Sequence, residues 1–249
     1  MDNMAVLQEI LTDSTSRMGV ELSSEQLEQF CRYADLLVEW NQKMNLTAIT
    51  DPEGIAVKHF ADSLSAWTVI DSAMKKNPDR KLTLIDVGTG AGFPGIPLKI
   101  LFPDLKVVLL DSLQKRLTFL ETVVHVLGLS DISCVHDRAE DGAHRPEMRE
   151  KFDIVTARAL ASLPALLEYC AGYVKTGGYF LAYKGPSLDQ ELSESKKAQE
   201  VLKMYLKEIL KDPASGDQHQ IAVFVKGGPS ALQYPRKQSK IKNTPLTGA

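Results

Sequence analysis

The 249-residue chain has only three cysteines, Cys31, Cys134 and Cys170, widely separated and odd in number. Such a set builds neither a disulfide framework nor a paired metal-binding motif. Each lies among apolar neighbours, which reads as a buried free thiol and fits a reducing, cytoplasmic setting. No apolar run approaches the ~20 residues that a membrane helix requires. The first residues show no basic-then-apolar leader. Basic residues are not in excess: 29 Lys and Arg against 32 Asp and Glu give a net charge of −3. A chain built to coat nucleic acid through bulk charge is therefore excluded, while a local basic face stays open. No internal repeat is visible. The length suffices for one full core with appendages.

What is present is concentrated at residues 82–95, Leu-Thr-Leu-Ile-Asp-Val-Gly-Thr-Gly-Ala-Gly-Phe-Pro-Gly. A β-branched apolar run ends in Asp86. Gly88, Gly90 and Gly92 follow at alternate positions, and an apolar stretch opens at Ile96 with Pro97 near its start. This predicts a strand, a tight turn and a helix. Glycine suits such a turn because a Cβ would block positive φ and the close approach of a ligand. The helix behind it offers free backbone N–H groups. Asp111 ends the next strand, about 20 residues beyond the glycines, where a carboxylate binds ribose hydroxyls in βαβ nucleotide sites. The glycine spacing is neither the dinucleotide fingerprint Gly-x-Gly-x-x-Gly nor a P-loop, since no Gly-Lys-Ser/Thr closes it.

Residues 4–74 read as helical, with a capping box at Ser23 and Gln26 and a restart at Asp51-Pro52. They are expected to form a helical cap (1–74), joined by a polar stretch to a sheet domain (82–228) and a basic C-terminal tail (229–249). Within the cap, Asn45-Leu46-Thr47 and Lys58-His59-Phe60-Ala61-Asp62-Ser63 are polar clusters set among apolar residues. They could lie over the mouth of the glycine strand. Alternatively, Asp62 and Ser63 cap the next helix and His59 is half-buried.

From residue 82, strands alternate with helices, the mark of a doubly wound α/β sheet. Strands are predicted at 82–87, 106–110, 132–135, 152–157 and 179–183. One helix is expected from Ser187 to about Val201. Met204–Leu210 reads as a strand because the turn-rich segment 212–217 and an apolar run at 220–226 argue for a hairpin. The result is a seven-stranded, mainly parallel sheet whose last strand runs antiparallel. Ligands bind outside the carboxyl ends of such strands. There the sequence places Gly88 to Gly92, Asp111, Arg138 to Glu140, Arg158 and Lys184. So many polar strand ends beside one glycine turn read as a pocket.

The Asp-Val-Gly-Thr-Gly-Ala-Gly motif resembles the first motif of the class I S-adenosylmethionine-dependent methyltransferases. The full run Asp86 to Leu98 resembles the RsmG family, also called GidB. So do Leu-Asp-Ser-Leu-Gln-Lys-Arg at 110–116, Asp-Arg-Ala-Glu at 137–140, Thr-Ala-Arg-Ala-Leu-Ala at 156–161 and the two cap clusters. The resemblance implies a methyltransferase acting on N7 of one guanine of 16S rRNA, in a small-subunit loop near the decoding centre. It also implies an association between loss of the enzyme and low-level streptomycin resistance. By motif position, Gly88, Phe93, Ala139, Glu140 and Arg158 are the implied cofactor contacts. The tail retains Tyr234-Pro235-Arg236-Lys237 but departs from the family pattern at Gln238-Ser239-Lys240.

The residues suggest how such chemistry would run. The turn Gly88-Thr89-Gly90-Ala91-Gly92 admits the amino-acid end of S-adenosylmethionine, Asp111 takes the ribose, and Ala139 and Glu140 border the adenine. Guanine N7 bears a lone pair and no proton, so an in-line attack needs placement rather than a base. The chain carries no Pro-Cys motif for cytosine C5 and no Asn/Asp-Pro-Pro-Tyr/Phe motif for exocyclic amines. No metal cluster is visible and none is required. Arg158 is the candidate orienting residue, since a guanidinium pairs with carboxylate, phosphate or guanine O6. Asn45, Lys58, His59, Lys184, Arg236 and Lys237 are candidates for RNA contact. The expected partner is 16S rRNA or the small subunit, with no membrane, and the protein itself is expected to be a monomer. Two other readings stay open: a small-molecule methyltransferase on the same fold, and a non-enzymatic RNA-binding protein with a vestigial cofactor site.

Overall fold

The computed structural model describes residues 3–212 and 216–247. Two helices open the chain, α1 (Asn3–Arg17) and α2 (Ser24–Asn41). The expected capping box starts α2: Gln26 N–H donates to the Ser23 hydroxyl at 3.2 Å, and Ser23 N–H donates to Gln26 Oε1 at 2.9 Å. Asp51 Oδ1 accepts from Gly54 N at 2.7 Å and starts α3 (Pro52–Gly54). The helix then widens into a π-helical stretch, Ile55–Ala61, before α4 (Asp62–Leu64) and α5 (Trp67–Lys75). Widened turns shift side chains off the regular helical face and concentrate at functional positions. This one carries Lys58 and His59.

Strands and helices then alternate. They are β1 (Thr83–Val87), α6 (Gly95–Leu101), β2 (Lys106–Asp111), α7 (Gln114–Val126), β3 (Ile132–His136), α8 (Ala139–Gly142) and β4 (Phe152–Arg158). There follow α9 (Leu163–Ala171), β5 (Val174–Lys184), α10 (Leu188–Glu194), α11 (Lys196–Leu202), β6 (Met204–Asp212), β7 (Gly216–Lys226) and α12 (Gln238–Asn243). The sheet order is β3-β2-β1-β4-β5-β7-β6. The first five strands are parallel, and β7 runs antiparallel between β5 and β6. This is the seven-stranded, mainly parallel sheet with an antiparallel last strand that the sequence leads one to expect. Met204–Leu210 is a strand, as read; the middle of the turn after it, 213–215, lies outside the described residues.

Local details differ from expectation for physical reasons. β5 begins at Val174, not Tyr179: pairing jumps from Phe152↔Val174 to Ile154↔Tyr179, so extra residues around Gly177 bulge out of the ladder. The helix after Ser187 is two helices. Ser195, buried between α10 and α11, donates its hydroxyl to Leu192 O at 2.9 Å. Serine side chains of this kind compete with the helical ladder. Ser187 does not cap backbone; its hydroxyl donates to Glu191 Oε1 at 2.8 Å.

The sheet is covered on both faces. Leu84 packs with Leu7, Phe30 and Phe60 of the cap and with Leu98 and Leu120. Its neighbour Ile85 points the other way, toward Leu166, Phe180 and Ile241 of the tail. Burying one such side chain stabilises by ~1.5–3 kcal/mol. Cap and tail are thus fastened to the sheet by apolar contact, and both reach its carboxyl edge.

Candidate active site at the carboxyl edge of the sheet

The glycine turn is tied down before any ligand arrives. Gly88 N and Thr89 N both donate to Leu110 O, at 2.8 and 3.0 Å, which stitches the turn to the end of β2. Asp86 is completely buried and accepts from Thr89 Oγ1 at 2.7 Å, Thr156 Oγ1 at 2.9 Å and Gly95 N at 3.0 Å. Burial raises its pKa above the usual carboxylate range despite these bonds. Asp86 therefore braces strand, turn and helix from inside.

Asp111 ends β2, where the sequence places it. Its Oδ2 accepts from Gly90 N at 2.9 Å and Arg116 Nη1 at 3.3 Å, and its Oδ1 accepts from Leu113 N at 2.9 Å. Only 3% of the side chain is exposed. The strand-end carboxylate turns inward between backbone N–H groups and braces the turn; these three bonds leave acceptor capacity on Oδ1, so the ribose contact expected from the sequence stays a proposal.

Two clefts open along this edge. The first, of ≈ 480 Å³, is lined by Ser112, Ala139 and Glu140 on one side and Leu160 on the other, with residues of the tail closing it. Glu140 is nine-tenths buried there, and Tyr173 Oη supports α8 by donating to Ala139 O at 2.7 Å. The glycine turn reaches the cleft wall at Gly88, where a Cβ would lie 2.9 Å from Leu160 Cδ1; two residues on, Gly90 holds φ +61 and faces open space, a Cβ there meeting only Gly88 O, at 4.0 Å. Bare backbone beside a cleft of nucleoside-ligand size fits S-adenosylmethionine.

The second cleft, of ≈ 540 Å³, lies beyond Arg158 and Ala159, between the ends of β4 and β5 and the π-helical stretch of the cap. Arg158 Nη1 donates to Asp62 Oδ2 at 2.8 Å and to Lys58 O at 3.1 Å, and the guanidinium sits 5.0 Å over the Phe93 ring. His59 stacks on Phe93, with centroids 4.5 Å apart and planes at 15°. Burial and the neighbouring Arg158 charge lower the His59 pKa to about 4, so the ring is neutral near pH 7. Its Nδ1 faces Arg158 Nη2 at 3.5 Å and its Nε2 lies 2.8 Å from Thr47 Oγ1. Arginine only donates, so the ring proton belongs on Nε2. Asp62 also meets His219 Nδ1 at 3.2 Å. Burial opposes ionisation of Asp62, but the His219 hydrogen bond and Arg158 prevail and hold it below the ordinary range. The capping alternative for Asp62 does not apply: it lies inside a continuous helical run with no capping bond.

The structure thus brings Ala139 and Glu140 to one cleft, and Arg158, Lys58, His59 and Lys184 to the other, with Phe93 buried behind Arg158 and His59; the glycine turn lines neither cleft and touches the first through Leu160, 2.9 Å from where a Cβ on Gly88 would stand. Three of the candidate RNA contacts sit apart. Asn45 is exposed on a turn built by its neighbour Asn41, whose Oδ1 accepts from Leu46 N and Thr47 N at 2.8 and 3.0 Å. Lys237 is exposed in the tail. Arg236 makes a two-pronged pair with the fully buried Glu168, Nε to Oε1 and Nη2 to Oε2, each at 2.7 Å. Lys184 pairs with Glu191 at 2.7 Å and is 10% exposed. Both cations are committed to internal carboxylates, so the expectation that they hold phosphate is withdrawn.

Sequence reasoning missed Tyr33, Asp62 as a partner of Arg158, and His219. Tyr33 was legible only as an apolar helix position, yet its hydroxyl donates to Ala91 O inside the glycine turn. Asp62 lay within a quoted motif; nothing local pointed to His219. Among the described residues no helix is long and apolar enough to cross a membrane.

Comparison with known proteins bears on this geometry. The family model described as GidB, rRNA small subunit methyltransferase G, matches residues 26–220. Ribosomal RNA small subunit methyltransferase G of Acetivibrio thermocellus is 51% identical over 243 residues, 97% of either chain. The protein of the same name from Desulfitobacterium hafniense is 49% identical over 242 residues, 96% of this chain and 98% of its own. A solved SAM dependent methyltransferase from Aquifex aeolicus is 18% identical, with a TM-score of 0.47 over 70% of this chain and 97% of its own. By the family match and by these identities over nearly its whole length, the chain belongs to the rRNA small subunit methyltransferase G (GidB) family.

Proposed function

We propose that the protein methylates N7 of a guanine in 16S rRNA of the small ribosomal subunit, using S-adenosylmethionine. The observation that carries this reading is a second, surface-open cleft beside the first, separated from it by Arg158-Ala159-Leu160, with the cations of its inner wall, Arg158 and Lys184, ion-paired and exposed Lys58 on its outer side. Arg158 is neutralised by Asp62 and Lys184 by Glu191, and His59 is uncharged. Such a lining suits a neutral, polar heterocycle rather than a phosphate. A small-molecule acceptor would call for an enclosed apolar pocket.

When bound, S-adenosylmethionine would supply an activated methyl group: as the N7–methyl bond formed, the sulfonium S–C bond would break with its electron pair kept by sulfur, leaving S-adenosylhomocysteine and the positive charge on the base. Ala139, Glu140 and the glycine turn would hold this cofactor. The protein's part is placement and charge accommodation. Arg158, fixed by Asp62, Lys58 O and Phe93, orients the acceptor base at O6. No proton has to leave N7, which agrees with how these groups are tuned. His59 is low because of burial, Asp62 is held low by His219 and Arg158, and Glu191 is kept low, against burial, by Lys184. None of the three is raised toward neutral pH, as a general base would be. Exposed Lys58 remains as a phosphate contact at the rim of the second cleft, exposed Lys237 as one on the tail, and Asn45 as a further RNA contact on the cap.

The test incubates the purified protein with methyl-labelled S-adenosylmethionine and, separately, 30S subunits, protein-free 16S rRNA and a low-molecular-weight metabolite extract. Label is expected in 16S rRNA, at one guanine that becomes aniline-sensitive after reduction. Label confined to the metabolite extract, or at an aniline-resistant position, would refute the proposal.

A further inference from the structure

The C-terminal segment was expected to hold RNA phosphate through its basic residues, but it lies elsewhere. Pro235 O accepts from His144 Nε2 at 2.8 Å, and Arg149 Nη1 donates to Tyr234 O at 2.9 Å. Arg236 is locked on Glu168 and also donates to Thr244 O at 3.0 Å. Ile241 is fully buried against the same sheet face as Leu166. These anchors run the chain back across the carboxyl edge, so that Gln238, Lys242 and Pro245 line the first cleft opposite Ala139 and Glu140. Gln238 Oε1 closes the span by accepting from Arg138 Nη1 at 3.0 Å, across 100 residues of sequence.

We infer that residues 238–245 are a wall of the cofactor site, contacting the adenosine half of S-adenosylmethionine, and not an RNA-binding tail. The inference rests on the methyltransferase reading above. Three observations support it independently of charge. The segment lines the cleft that contains Ala139 and Glu140. It is held there by a buried ion pair and a buried isoleucine rather than lying loose on the surface. It is bridged to Arg138, the residue immediately before that adenine-bordering pair. The wall offers the Gln238 amide for hydrogen bonds and apolar contact from Pro245, which suit a nucleoside, with Lys242 as its single cation at the cleft. It also accounts for the departure from the family pattern at Gln238, since a glycine step there would carry no side chain to reach Arg138.

Amide hydrogen exchange on the full chain tests this, with S-adenosylhomocysteine and 30S subunits as separate probes. S-adenosylhomocysteine at saturation is expected to slow exchange across 238–245 by about fivefold or more, as ordering of a binding wall does. Gln238→Ala is expected to raise the Kd for S-adenosylhomocysteine about 3- to 10-fold by calorimetry, the loss of one hydrogen-bonding group, with an unchanged melting profile. If calorimetry shows tight binding while exchange across 238–245 is untouched, the wall assignment is wrong and the methyltransferase reading stands. Protection by 30S subunits alone would likewise overturn the wall. If S-adenosylhomocysteine does not bind at all, both readings fall.

Discussion

Two glycines of one turn are expected to fail in opposite ways when given a methyl group. Gly92 holds φ +98, and a Cβ there would lie 2.5 Å from Tyr33 Oη, 2.8 Å from Ile96 Cδ1 and 2.9 Å from Leu120 Cδ2. Those atoms belong to the packed seam between cap, turn and α7. Left-handed backbone costs an L-residue roughly 1–2 kcal/mol, and overpacking a filled core adds about 1–3 kcal/mol. Gly92→Ala should therefore lose roughly 2–5 kcal/mol of stability. Gly90 holds φ +61, and nothing closer than 4.0 Å awaits its Cβ. Gly90→Ala should lose only about 1–2 kcal/mol from backbone strain. At a Tm change of ~2–4 °C per kcal/mol for a chain of this size, that is a small shift. Its methyl group, however, projects where the cofactor must approach bare backbone, so affinity for S-adenosylhomocysteine should fall at least about tenfold, equivalent to ~1.4 kcal/mol. Urea unfolding and calorimetry on both variants separate the effects. The assignment of the turn fails if Gly90→Ala binds like the unaltered chain, or if Gly92→Ala unfolds at the same urea concentration.

Asp62→Asn removes the charge that fixes Arg158. Losing one partner of a buried pair costs ~3–5 kcal/mol, reduced here to about 2 because Arg158 is 18% exposed. Turnover should fall more than cofactor affinity, and equal loss of both would show that Arg158 is not an acceptor-side residue. Because the folded Asp62 titrates below its unfolded value, its stabilisation is complete above the ordinary carboxylate range and disappears as pH falls through the lower folded value. Stability of Asp62→Asn should lack that acid step. His59 gives a second pH signature: at about 4 when folded against 6.5, it contributes ~3 kcal/mol above pH 6.5 that is lost as pH falls toward 4. Urea midpoints of the unaltered chain should drop across that window more than those of His59→Gln; parallel profiles would place the ring in water. Arg236→Ala strands the buried Glu168 and should cost ~3–5 kcal/mol, partly recovered in Arg236→Ala/Glu168→Gln. For any variant that stays folded, the salt dependence of 30S binding should be unchanged on losing Arg236 but reduced by about one phosphate contact in Lys58→Ala. The opposite pattern would return Arg236 to the RNA surface.

The alternation of strands and helices, the antiparallel return of β7, the caps at Ser23 and Asp51 and the glycine turn could all be read from the sequence. Each depends on periodicity or backbone preference within a few residues. The Asp86-to-Leu98 and Asp137-to-Glu140 motifs pointed to the correct edge of the sheet for the same reason. Tertiary structure alone decided which charge answers which. Asp62 and Arg158 lie 96 residues apart, and Arg236 and Glu168 lie 68 apart. Asp111 showed in the sequence only as a strand-end carboxylate, while in space its oxygens also accept from Gly90, Leu113 and Arg116. Hydrogen bonds and ion pairs saturate and act over a few ångströms. Their partners are therefore set by how the sheet, cap and tail come together, which no local pattern records.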